Sequence, residues 1–383
     1  MWPAPRAKNS GAVARKCLWQ PIESMQLLSS KAGDERRRTD PGGKVSPIVR
    51  IREVARVKKA TIYSIAESLG VSASTVSRAF SRPDLVKGSV REEILETARA
   101  MGYTPNRAAR GLATGRTGLF GVIVSDITNP FFPPLVRAIQ HAAAVRDAEV
   151  LLIDTGGAPR AENELANKIK AQVDGLIIAS PRMESSVLRQ IAQSVPTVVI
   201  NRVVRGITHV VCDNTAALAR AAEQLHQGGH RSFGLVQGPS EAWAATQRSR
   251  AVQRWAEAQP EVDLFALPPG AATFERGRDA AAEIVDMGAT AVFAFDDLVA
   301  AGVIAGLNEA GEQVPRDRSI VGCDDVLLAR TMTPALTTVT APMADLGAEA
   351  VRLISEVLEG ATPKNVTLEG SLVLRGTVAP AAT

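Results

Sequence analysis

The spacing of apolar positions changes along this chain, and the changes mark its regions. Residues 1–57 show no sustained period and cluster Pro, Gly, Ser and Arg, including Arg36-Arg37-Arg38, so they read as a disordered basic extension. A helical period then begins. Ile62, Ile65, Ala66 and Leu69 fall at i, i+3, i+4 and i+7, which gives one apolar helix face. Gly70 stops that helix, Val71 turns inward and Ser72 is placed to cap a second helix over about residues 73 to 80. This second helix buries Val76, Ala79 and Phe80 and shows Ser74, Thr75, Ser77 and Arg78 on its other side. A third is expected to start at Ser89, with Glu92 closing a capping box, to bury Ile94, Leu95, Ala98 and Met101, and to end at Gly102. Pro105 suits the start of a short fourth helix that is too brief, and too weakened by Gly111, to stand alone.

Two helices joined by a tight turn with a Gly, the second polar and basic outside, form the helix-turn-helix pattern. The same residues also suit an ordinary helical hairpin with a solvated face. After the break Gly115-Arg116-Thr117-Gly118 the period changes again. Short apolar runs alternate with helical stretches: FGVIV (120–124), EVLLID (149–154), VDGLIIA (173–179), PTVVIN (196–201) and HVVC (209–212). A second series follows with SFGLVQG (232–238), AVFAF (291–295), SIVGCD (319–324) and LTTVT (336–340). Continuous apolar strands separated by helices predict parallel sheets covered on both faces. The region is long for one sheet, which predicts two α/β lobes.

Composition narrows the classes. With 45% hydrophobic and 22% charged residues in 383, the chain reads as soluble and large enough for two or three domains. No apolar run approaches the roughly 18 residues of a membrane span, and the N-terminus lacks the apolar stretch of a signal peptide, so a cytoplasmic location and no membrane partner are expected. No Met stands between Met25 and Met101, and Val57 is a candidate alternative start, so residues 1–57 are not assumed to be native. Cys17, Cys212 and Cys323 are odd in number and far apart, with neither metal-type spacing nor a disulfide framework. The first strand is not followed by GxGxxG, and no P-loop is present, so no nucleotide cofactor is indicated. Charge is uneven. Residues 1–59 carry 14 Lys+Arg against 5 Asp+Glu, residues 60–117 carry 8 against 5, and the remainder 22 against 30. A basic front on an acidic body fits a front that meets a polyanion.

Several motifs in order carry a resemblance. TIYSIAESLGVSASTVSRAF, NRAARGLATGRTG, SDITNPFF, CDN, GGHRSFGLVQGP, FAFDDLVAAG, VPRDRSIVGCDD, PALTTVTAPMADLG and LVLRGT resemble, from residue 60 to about 380, the lac-repressor-type family of bacterial transcription regulators. The resemblance implies an all-α helix-turn-helix headpiece (58–103), a hinge (104–117) and an α/β core (118–383) of two doubly wound lobes, like periplasmic sugar-binding proteins. Lobe one would hold about 118–212 and 342–369, lobe two about 213–341 and 370–383. It also implies a homodimer acting as a repressor on double-stranded operator DNA, with a sugar as effector.

By the same resemblance, the second helix lies in the major groove, with Ala73, Ser74 and Arg78 toward base edges and an Arg fork suited to guanine. Tyr63, Ser72, Thr75 and Ser77 position the backbone. Asn106 and Arg107 contact hinge DNA, and Leu112 is the wedge that enters the minor groove. Ser125, Asn201, Arg202, Arg248, Phe274, Asp296 and Asp324 are placed around the effector, with Phe131 or Phe132 as an apolar floor. Carboxylates, an amide, an arginine and an aromatic face suit a polyol. Asp297 and Asp325 fit helix capping as well as ligand contact. Asp296 stands where the family usually has Asn, and Cys323 where it has an aromatic. The extra carboxylate argues against a strongly anionic effector unless Arg202 and Arg248 compensate. Two rivals remain: a sugar-binding protein without a regulatory role, and an enzyme built on adjacent carboxylates. Against the enzyme, adjacent loop residues point different ways and no nucleophile–base pair accompanies them.

Overall fold

The computed structural model describes residues 60–103 and 115–382. The extension 1–57, Cys17, and the hinge residues Asn106, Arg107 and Leu112 lie outside the described residues.

Helices α1 (Ile62–Leu69), α2 (Ala73–Ser81) and α3 (Gly88–Ala100) form the N-terminal bundle, with a 3-10 turn at Pro83–Leu85 between the last two. Their shared core is Ile65, Ala66, Val76, Ala79, Ile94 and Ala98. Thr61 and Ser64 close a capping box: Ser64 N donates to Thr61 Oγ1 at 3.2 Å and Thr61 N to Ser64 Oγ at 2.9 Å. Gly70 ends α1 at φ 64°, where a side chain would be strained, and lets the chain turn tightly into α2. The start of α3 departs from expectation. It begins at Gly88 with no side-chain cap, which puts Ser89 inside the first turn, and the Ser89–Glu92 capping box does not form. Met101, expected inside, is 40% exposed. The helix ends before it, and Tyr103 packs on Phe80 instead, ring centroids 5.6 Å apart.

The α/β region begins with β1 (Leu119–Val124), α4 (Phe132–Ala144), β2 (Glu149–Asp154), α5 (Pro159–Ile169), β3 (Gly175–Ala179), α6 (Ser185–Ser194), β4 (Thr197–Ile200) and β5 (Thr208–Asp213). The chain then builds a second set: α7 (Thr215–Gln227), β6 (Ser232–Val236), α8 (Trp243–Glu257), β7 (Asp263–Leu267), α9 (Phe274–Asp286), β8 (Ala291–Ala294), α10 (Asp297–Glu309), β9 (Ser319–Asp324), α11 (Leu327–Thr331) and β10 (Thr337–Thr340). It returns through α12 (Met343–Leu358) and β11 (Val366–Glu369) and finishes with β12 (Leu372–Val373). The sheets run β11-β5-β4-β3-β1-β2 and β12-β10-β9-β8-β6-β7. Every pairing is parallel except β10 with β12. The chain thus passes between lobes three times, after β5, after β10 and before β12.

Both faces of each sheet are covered, which is why the inner strands read as unbroken apolar runs. In β1, Val122 and Val124 join Leu135 of α4 and Ile354 of α12, while Ile123 joins Ala166 of α5 and Leu188 of α6 on the opposite face. Edge strands behave differently. Leu152 in β2 is 38% exposed despite the apolar run EVLLID. Strands β7 and β11, which sequence periodicity did not single out, alternate or break their burial. One close approach fixes the second lobe: a Cβ at Gly302 of α10 would collide with the Phe274 carbonyl oxygen of α9. Only glycine lets these helices meet so closely, and their contact holds the start of α10 against the end of β8. Among the described residues, no helix is long and apolar enough to cross a membrane.

Candidate functional site

On α2, Ser74 and Arg78 are exposed, as are Ser72 before it and Tyr63 on α1, whose side chain is 71% exposed. Ser72 caps the helix: its Oγ accepts from Thr75 N at 3.1 Å and lies 2.8 Å from both Ser74 Oγ and Thr75 Oγ1. Three hydroxyls therefore cluster at the first turn, where free backbone N–H groups favour an anion. Ala73 differs from Ser74 and Arg78, because its methyl is half-buried against the bundle core. Ser77 is also half-buried, and its carbonyl accepts from Ser81 Oγ at 2.9 Å.

The second candidate site lies between the lobes, at the carboxyl ends of β1, β3, β4, β8 and β9, where open α/β sheets take ligands. This cleft holds about 490 Å3 of space between atoms, continuous with solvent. Ser125, Phe131, Phe132, Asn201, Arg248, Asp296 and Asp324 line it together. Phe131 and Phe132 meet edge to face, centroids 5.2 Å apart, as an apolar floor. Backbone strain gathers here: Ser180, Asn201 and Asp324, each just past or at the end of a strand, have φ of 51°, 53° and 113°. Non-glycine residues held this way cost on the order of 1–3 kcal/mol each and cluster at ligand sites.

Charge in the cleft is buried and paired. Arg248 Nη2 donates to Asp324 Oδ1 at 2.5 Å and Nη1 to the Phe295 carbonyl at 2.8 Å. The guanidinium carbon lies 5.1 Å from the Phe295 ring centroid. Arg248 Nε is buried with no partner among the described residues. Burial works against the charge of Arg248, but Asp324 together with the other groups around it, Asp296 among them, outweighs it and the net shift is upward. Burial pushes the Asp324 carboxyl up to about 6, with Arg248 pulling it back. Asp296 caps α10: its Oδ1 accepts from Val299 N at 2.8 Å, and its Oδ2 from Asn129 Nδ2 of the first lobe at 2.9 Å. Burial raises its pKa against these two donors.

Two expected contributors stand elsewhere. Phe274 is 37% exposed at the start of α9 and outside the cleft wall, because its backbone is pressed against Gly302. Phe295 supplies the aromatic face instead. Arg202 also misses the wall. Its Nη1 donates to Pro181 O at 3.0 Å and to Glu241 O at 3.1 Å, so it ties the two lobes by their backbones. Asp297 and Asp325 neither cap helices nor line the cleft. Asp297 Oδ2 accepts from Val326 N at 2.9 Å and Oδ1 from Thr338 Oγ1 at 2.5 Å. Asp325 is paired with Arg375 at 2.5 Å and Arg330 at 2.9 Å. Both are occupied in holding the fold, which leaves adjacent-carboxylate catalysis without its groups. The cleft also takes in Asn129, Ser180, Arg182, Trp243 and Phe295, which the sequence reading did not single out. Asn129, Ser180 and Arg182 sit on loops, where periodicity carries no signal, while Trp243 opens α8 and Phe295 directly follows β8.

Comparison with known proteins covers both sites. The description "Bacterial regulatory proteins, lacI family" matches residues 61–106, and "Periplasmic binding protein-like domain" matches residues 222–378. Catabolite control protein A of Priestia megaterium is 32% identical over 312 residues, 79% of this chain and 93% of its own. The HTH-type transcriptional repressor CytR of Escherichia coli (strain K12) is 30% identical over 308 residues, covering 79% and 90%. Among solved structures, the lac repressor dimer bound to operator and the anti-inducer ONPF has a TM-score of 0.76 at 25% identity, covering 84% of this chain and 100% of that one. A complex of the transcriptional regulator CelR with cellobiose has a TM-score of 0.61 at 27% identity, covering 83% and 100%.

Proposed function

Because the chain belongs to the lacI family of bacterial regulatory proteins, we propose that its α2 reads an operator and that a sugar held between its lobes sets how tightly. It is a DNA-binding transcriptional regulator and not an enzyme, and it acts as a homodimer. In this reading Ser74 and Arg78 face base edges, Arg78 by a bidentate fork on guanine. Tyr63, Ser72 and Thr75 hold phosphates, and the protein works in the cytoplasm beside its DNA. Asn106, Arg107 and Leu112, outside the described residues, would couple the bundle to the core. The direction of control is repression, relieved or imposed as the effector shifts the balance between core states.

The observation that carries this reading is the pairing of an exposed, hydroxyl-rich and basic α2 face with a cleft of buried charged groups, one of them an unpartnered Arg248 Nε. Selection of bound sequences from random DNA with the full chain tests it. A single enriched motif, bound less tightly as salt rises and altered in affinity by a sugar, is the expected result. No enriched motif, or binding indifferent to salt, would sink it.

A further inference from the structure

The cleft offers more hydrogen-bond donors than acceptors. Arg182, on the loop after β3, lines it beside Asn201, Trp243 and Arg248. The backbone around Arg182 is locked by Glu162 at the start of α5. The Glu162 carboxylate accepts from Arg182 N and from Met183 N, each at 2.8 Å. Those bonds engage the carboxylate through the backbone, and the Arg182 charge also acts on it, but no hydrogen bond or ion pair joins Glu162 to the Arg182 fork among the described residues. Among the described residues the guanidinium makes one hydrogen bond, Nη1 to Gly157 O at 3.2 Å. Its Nε and Nη2 make no hydrogen bond among the described residues, and the residue lines the cleft. Across the cleft, the buried Arg248 Nε is also without an acceptor. Asn201 spends its Oδ1 on Cys212 N at 2.9 Å, which leaves its amide N–H groups for the cavity.

The carboxylate acceptors are partly engaged, with Asp324 Oδ2 holding no hydrogen bond among the described residues. Asp296 holds Val299 N and Asn129 Nδ2, and Asp324 holds Arg248. An arginine fork with one long bond to a carbonyl, in a partly desolvated wall, is matched best by a planar or multi-oxygen anion. A neutral hydroxyl takes one such N–H and must place its own proton as well.

We propose that Arg182 is a specificity-determining residue of the cleft and that the effector is an anionic polyol, its acid group held by Arg182 and its hydroxyls by Asn201, Arg248 and Asp324. This rests on the regulator reading above and names the chemistry of its ligand. The sequence alone pointed the other way, because Asp296 adds a carboxylate to the site. The structure offsets that carboxylate: Asp296 is engaged as a helix cap and in an inter-lobe bond, and Arg182 adds a cation the sequence did not reveal.

Calorimetric titration of the full chain tests the assignment with D-glucose, D-glucuronate, D-glucose 6-phosphate, D-galactose and D-galacturonate as probes. The acids separate carboxylate from phosphate recognition while sharing their neutral parents. At least one acid binds more tightly than its parent, Arg182→Gln weakens it by about tenfold or more, and Arg182→Lys restores part of the loss. Arg182→Gln keeps the backbone N–H groups that Glu162 holds, so the fold is retained. A neutral sugar binding more tightly than its acid, acid affinity untouched by Arg182→Gln, or no acid binding at all overturns the assignment. The same samples are assayed for operator retention. Specific operator binding altered by a neutral sugar leaves the regulator reading standing while the anion assignment falls. Absence of specific operator binding fells the regulator reading itself.

Discussion

Asn129 Nδ2 donates to Asp296 Oδ2 across the cleft at 2.9 Å, and it is the side-chain bond that joins the β1–α4 loop of one lobe to the start of α10 in the other. Both residues are buried, at 7% and 3% exposure. A hydrogen bond to a carboxylate out of water is worth about 1.5–3 kcal/mol, enough to bias an opening equilibrium about tenfold or more. Arg202 adds a second tie between Pro181 and Glu241. The closed arrangement therefore has contacts of its own before any ligand enters.

Asn129→Ala should accordingly open the lobes. Small-angle scattering of the free protein is expected to show a larger radius of gyration than wild type, with effector affinity reduced because closure now costs more. An unchanged radius with unchanged affinity would mean the bond is incidental.

Arg248 and Asp324 form the buried ion pair at the cleft floor, with the Phe295 ring against the guanidinium. Removing one partner of such a pair leaves a buried charge, typically at about 3–5 kcal/mol. Arg248→Ala is therefore expected to lower the melting temperature at pH 8 and to abolish the effector response, while operator binding persists. Because the Asp324 carboxyl sits at about 6 even with its partner, acidification below that value neutralises it. The stability deficit of the variant should shrink at pH 5. A deficit independent of pH would assign the loss to packing on Phe295 instead.

Two of the exposed groups of the N-terminal bundle, Arg78 and Tyr63, separate by what they do to sequence preference. Arg78→Ala should cost about 1–3 kcal/mol on the selected operator and relax the preference at one base pair. Tyr63→Phe, which loses only a hydroxyl, should weaken all sequences alike. Binding-site selection with each variant reads both. Loss of preference at no position in Arg78→Ala would remove that residue from base contact.

Much of this architecture is visible in the sequence because inner strands such as β1, β3 and β9 are buried on both faces and leave unbroken apolar runs. The edge strand β11 alternates as VTLE and leaves no such run, whereas β7 carries the short apolar run LFAL, which the sequence reading did not single out. In the cleft, Ser125, Asn201, Asp296 and Asp324, placed by the resemblance, each follow or close an apolar run. Asn129 and Arg182 were not, because they come from loops whose course depends on tertiary contacts such as Glu162 with the 182–183 backbone. Phe274 stands outside the cleft wall and Phe295 within it. Gly302 takes the backbone of Phe274 against α10, and the ring at the end of β8 is left to face Arg248.

Buried carboxylates give the core a pH dependence of definite sign. Burial, reinforced by the charge of Asp324, pushes Asp297 up to about 8 from the ordinary 3.8. The native state therefore holds a proton that the unfolded chain has released between about pH 4 and 8, and stability falls as pH rises through that window. Asp296, Asp324 and Glu162, raised likewise by burial, act in the same direction. His230 opposes them only below its ordinary value of 6.5, since burial lowers its pKa and the folded state resists its protonation. The cleanest window is thus above 6.5, where wild type should lose melting temperature steadily toward pH 8. Asp297→Asn keeps an oxygen for Val326 N and can donate to a rotated Thr338 hydroxyl, so its fold should survive. Its melting temperature is expected to fall less steeply across pH 6.5–8 than that of wild type. Thermal melts of both proteins at matched ionic strength measure this, and parallel curves would show that Asp297 carries no excess proton in the native state.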